Sequence, residues 1–62
     1  MTRRAALQWF YDRGAVITEL GAPTAPSAYM MTQMEKDGQL TLSPEGWILT
    51  DKGRQDLWES RK

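Results

Sequence analysis

Apolar residues recur at helical spacing in two parts of this chain and alternate in a third, and the change of period lays out its elements. Ala6, Trp9, Phe10 and Arg13 fall on one helical stripe with Leu7 and Tyr11 beside it. That spacing predicts a helix over 3–13, with Trp9 and Phe10 facing the core. Thr2 is suited to cap it and Gly14 to end it. Ser27, Met30, Met31 and Met34 repeat the pattern and predict a helix over 26–37. It starts between Thr24 and Ser27, with Pro26 in the first turn, where a missing amide has no intrahelical partner. Gly38 then closes the helix with a positive φ. Leu40, Thr41 and Leu42 alternate with period two, and Ser43, Pro44, Glu45 and Gly46 break the run. Trp47, Ile48 and Leu49 return as a second strand. Thr50 caps a last helix over 51–60, in which Leu57 is the expected anchor. Gly53 is a poor helix former, and its presence points to close packing of that helix on the hairpin.

One segment is less decided. Val16, Ile17 and Thr18 suit a strand, whereas Ile17 and Leu20 are spaced by one helical turn. A short helix over 16–20 is expected, followed by a turn over 21–26 with Ala22 and Ala25 extended before their prolines. The whole is an α+β fold, a single domain over 1–62 with three principal helices and a two-stranded hairpin. Trp9, Phe10, Met31, Met34, Leu40, Leu49 and Leu57 form its expected core, with Met30 at the edge.

Composition narrows the function. Sixty-two residues bury only about 60% of the unfolded surface, so the core is marginal. Cysteine and histidine are both absent. No disulfide, zinc site or common nucleophile–base pair is therefore expected, and neither a metal nor a cofactor. No spacing suggests an acid–base pair in a pocket, so an enzyme is not expected. The longest apolar runs are far short of the roughly 20 residues that span a bilayer, and no secretion signal stands out. A soluble, cytoplasmic protein is the expectation. Eight basic residues balance eight acidic ones, so any patch that neutralises phosphate must be small.

The outward side of the 26–37 helix carries Tyr29, Thr32, Gln33 and Lys36, with Ala25, Pro26 and Ala28 at its entrance. Small residues there permit close backbone approach, and Gln33 can pair with an adenine edge. Tyr29 or Thr32 can reach a phosphate or a thymine methyl. The same residues also suit an ordinary solvated helix face. Arg3 and Arg4 lie in the first turn of their helix, where the macrodipole disfavours positive charge, so each is either solvated or leans on a phosphate or an acidic neighbour. The hairpin turn carries Glu45 and no basic residue. Trp58 is about 100° from Leu57 on its helix and cannot share a narrow core stripe with it. It either folds over the first helix near Trp9 or Tyr11, or anchors an interface between molecules.

Several of these stretches, in order, resemble the winged helix-turn-helix superfamily of small bacterial and phage transcription regulators. Glu19, Leu20 and Gly21 look like the end of the helix before the turn, and 27–34 looks like a recognition helix. Met34, Glu35, Lys36, Asp37 and Gly38 resemble the Leu-Glu-x-x-Gly exit into the wing. Trp47, Ile48, Leu49, Thr50, Asp51, Lys52, Gly53 and Arg54 are similar to the tyrosine-x-leucine-threonine-x-x-glycine-arginine run that closes such domains. The resemblance covers roughly 17–57 and implies a winged helix with a two-stranded β-hairpin wing. It also implies double-stranded DNA as partner, read in the major groove by Ala25, Pro26, Ala28, Tyr29, Thr32 and Gln33, with Lys36, Arg3 and Arg4 available to phosphate. A homodimer or a protein partner goes with that reading, in the manner of a phage or prophage accessory regulator. A winged-helix module that binds protein and not DNA is the alternative.

Overall fold

In a computed structural model of the chain, residues 1–14 and 25–60 are described. The expected short helix over 16–20 and most of the turn after it lie outside them. The first helix, α1, spans Arg3–Arg13, with the Thr2 hydroxyl accepting the Ala5 N–H at 3.1 Å and Gly14 closing the other end at φ 66°. The second, α2, spans Ala28–Lys36, and the third, α3, spans Asp51–Ser60. Between α2 and α3 lies an antiparallel hairpin of β1 (Leu40–Ser43) and β2 (Gly46–Leu49). Its register pairs Leu40 with Leu49, Thr41 with Ile48, Leu42 with Trp47, and Ser43 with Gly46. The layout is α+β and winged-helix-like.

Ala6, Leu7, Phe10, Met31, Met34, Leu40, Leu49 and Leu57 are buried together, and Trp9, Met30 and Trp47 pack on their edge. Two expectations for α1 change. Leu7, placed beside the stripe, is at its centre with Ala6 and Phe10. Trp9, placed inside, is only half-buried. Its ring meets Phe10 edge-on at 5.0 Å between centroids and carries the Arg13 guanidinium 4.2 Å above it. The cause is that α1 packs mainly on α3, which rotates the buried stripe toward Leu7 and leaves Trp9 on the flank.

The hairpin joins α3 without slack. Thr50 donates its N–H to the Gln39 carbonyl at 3.0 Å and its hydroxyl to the Gly38 carbonyl, while the same oxygen accepts the Gly53 N–H at 3.1 Å. One side chain thus caps α3 and ties it to the exit of α2. A Cβ on Gly53 would fall against the Gln39 carbonyl oxygen and within 2.9 Å of Leu49 Cδ1. Hydrogen is the only side chain that fits there.

Candidate nucleic-acid interface

The helix that would meet a ligand is built by its two ends. Ser27 caps α2, its Oγ accepting the Met30 N–H at 3.1 Å. Pro26, expected in the first turn and facing a groove, instead precedes the cap and is buried. The chain must be extended at Ser27 (φ −67°, ψ 158°) for the cap to form, and this turns Pro26 inward. Pro26 and Met31, both buried, occupy the two positions that a hydrophobic staple pairs across a helix start. Helix α2 is thus shorter than expected, nine residues or about 13.5 Å at 1.5 Å per residue.

Its far end is a tight reversal. The Gln39 N–H reaches the Met34 carbonyl at 2.8 Å and the Gly38 N–H reaches the Glu35 carbonyl at 3.0 Å. This 6→1 and 5→2 pair is a Schellman closure, and Gly38 supplies its left-handed residue at φ 77°. The sequence expectation for Gly38 holds.

Between those ends the helix is sharply two-sided. Met31 and Met34 are buried and Met30 is half-buried, as the period predicts. Ala28, Tyr29, Thr32 and Lys36 are exposed, and Tyr29 most of all at 75%. Gln33 is half-buried on the border of that face. The Thr32 hydroxyl donates to the Ala28 carbonyl at 2.9 Å, which holds its rotamer and leaves the oxygen's lone pairs free to accept. Glu35 is exposed too and stands on the Ala28 edge of that face, three residues after Thr32 and between it and the buried Met31.

The two first-turn arginines separate. Arg4 is exposed. Arg3 is half-buried and turned inward, its Nη1 2.7 Å from Asp37 Oδ2 and 2.8 Å from Gln39 Oε1. Of the three alternatives left by the sequence for Arg3, the acidic neighbour is the one observed. Arg3 therefore helps join the start of α1 to the end of α2, and a phosphate role for it is set aside.

Gln39 is the residue that sequence reading missed. It is 7% exposed and links Arg3 to Asp56, donating from Nε2 to Asp56 Oδ2 at 2.8 Å. Lys52 Nζ reaches the same carboxylate oxygen at 2.9 Å. The Gln39 hydrogen bond and then that of Lys52 hold the Asp56 carboxyl below its ordinary value, against a smaller opposing effect of burial. No local signal marks Gln39, because a glutamine after an exit glycine reads as solvated.

Trp58 is 48% exposed, with its ring edge-on to Tyr11 at 5.8 Å between centroids. It leans on α1 and still offers half its surface. Among the described residues no group of His, Cys, Asp and Glu is placed to hold a metal, and no helix is long and apolar enough to cross a membrane. No protein family matches this chain, and no curated protein or solved structure is significantly similar to it.

Proposed function

We propose that this chain is a small DNA-binding transcriptional regulator that reads the major groove with the outer face of α2. The observation that supports this reading is the two-sidedness of α2. Tyr29, Thr32 and Lys36 project from it with Gln33 at the border, and the methionines hold the opposite side in the core. A winged-helix-like layout presents its second long helix in this way, and the side chains offer donors, acceptors and a methyl for base edges. Arg4 and Lys36 are the cations left for phosphate once Arg3 is joined to Asp37. Two such contacts give a log–log salt slope of only about −2, at roughly −0.9 per neutralised phosphate. A lone domain then binds weakly, and useful affinity needs two on one duplex.

The test is fluorescence anisotropy of a labelled mixed-sequence duplex titrated with the full chain at several salt concentrations. Binding at low salt is expected, with Lys36→Ala making the slope shallower by about 0.9 and Gln33→Ala weakening binding without changing it. A second reading, a protein-binding winged-helix module, is favoured by the hairpin turn, where Glu45 stands exposed in place of a cation. Absence of duplex binding at low salt, with the fold intact, would leave that module as the reading.

A further inference from the structure

The C-terminal half of α1 leaves a cleft of about 170 Å³ against β2 and α3, lined by Phe10, Tyr11, Gly14, Ile48, Leu49 and Arg54. A cavity of roughly 150 Å³ admits a benzene molecule, so this one has room for an aliphatic side chain. Among the described residues its lining side chains are apolar or aromatic except that of Arg54. Tyr11 also carries the rim onward to Trp58, and both rings are about half-exposed. The carboxylate nearest Arg54 is that of Asp51, at 4.0 Å and itself fully exposed. A contact at that limit in water is worth little. The cleft thus offers an apolar seat, an aromatic shoulder and one loosely held cation.

The tip of the hairpin carries the complement. Leu42 is 61% exposed, although it lies on the same side of its strand as the buried Leu40. Glu45 stands exposed three residues on, in a turn fixed by Ser43, whose Oγ donates to the Gly46 carbonyl at 2.7 Å and accepts the Glu45 N–H at 3.2 Å. Neither residue lines its own cleft. Leu42 lies two positions, about 7 Å at 3.3 Å per residue, beyond the Leu40–Leu49 pair at the root, and Glu45 stands farther out in the turn.

We propose that this cleft is the docking site for the hairpin tip of a second copy of the chain, with Leu42 seated in it and Glu45 paired with Arg54. In a two-fold pair the contact is made twice, each tip in the other molecule's cleft, which closes the assembly at a dimer. Trp58 and Tyr11 then flank the incoming strand and lose their exposure. An acidic turn, ill-suited to gripping phosphate, becomes the partner of the arginine at the cleft's edge. The dimer forms without DNA and leaves the outer face of α2 untouched.

The test is sedimentation equilibrium of the full chain without DNA, over a range of concentrations. A monomer–dimer equilibrium is expected. Arg54→Glu and Glu45→Arg should each weaken it about tenfold or more, and the charge-swapped double variant should restore it, as a double-mutant cycle requires of a direct pair. Leu42→Ser should weaken it as strongly with an unchanged melt, and Gln33→Ala should leave it unaltered, which separates this contact from the α2 reading. A chain that stays monomeric throughout overturns the proposal. So does a double variant no better than the singles, or growth beyond the dimer.

Discussion

The two ends of the hairpin share the same strands and the same alternation, yet their fates differ. At the root, Leu40 and Leu49 are buried, Gln39 is enclosed by Arg3 and Asp56, and Gly53 presses on the Gln39 carbonyl. At the tip, Leu42 faces solvent across from a half-buried Trp47, and the turn is held by one serine. Period-two patterning fixes which face of a strand turns inward, but not how far along it the core extends. That distance is set by the helices beneath, and they reach the root only.

Substitutions at the root should be costly and those at the tip nearly silent. The largest effect is expected for Met34→Ala, directly under the root, at roughly 2–5 kcal/mol for a buried large-to-small change. In so small a domain that should largely unfold the chain, read as loss of the thermal transition in circular dichroism. A folded variant with an unchanged melt would erase the contrast. Gly53→Ala comes next. Its new methyl meets the Gln39 backbone carbonyl, which cannot move aside as the neighbouring Leu49 side chain can, so a loss near the top of the roughly 1–3 kcal/mol range for overpacking is expected. Urea denaturation measures it.

These positions also show what was legible beforehand. Gly53 and Gly38 stood out because glycine in a helix, or just past one, signals close approach or a left-handed turn, and both signals are local. Thr2, Thr50 and Leu57 were legible for the same kind of reason. Gln39 and Arg3 were not, because their burial depends on partners 17 to 36 residues away. Leu7 and Trp9 were exchanged for a related reason. Helical spacing defines a stripe, but the helix packed against it selects the stripe's centre. Pro26 was misplaced by two residues because both it and Ser27 are good helix-start residues, and the serine took the cap. On the outer face of α2 the sequence located the exposed residues, since exposure there follows from the methionine period. It could not say what touches them.

Gly38→Ala should cost about 1 kcal/mol, since alanine resists the left-handed conformation. Stabilisation there would remove the tight exit that leads α2 into β1. Acid probes the junction more gently. Asp56 has a lowered pKa in the folded chain, so its contribution is complete above its unfolded value and is lost as pH falls through the lower folded one. Melting temperature should therefore fall below the ordinary carboxylate range, and Asp56→Asn should reduce that dependence. The smallest effect belongs to the tip. Leu42→Ser, melted at a concentration at which sedimentation shows monomer, should change stability by no more than about 0.5 kcal/mol. A larger loss would extend the core to the tip and dissolve the comparison.

The packing of α1 on α3 bears on the order in which the chain can acquire its shape. Helix α1 has eleven residues, below the roughly 12–15 at which an isolated helix becomes even marginal in water. Its Ala6, Leu7 and Phe10 are covered by Leu49 and Leu57, which lie about forty residues or more later in sequence. On a ribosome, α1 is made first and can settle only after α3 has emerged. A nascent chain halted before Leu57 should leave Phe10 and Trp9 without their cover, open to proteases and to chaperones that bind exposed aromatics.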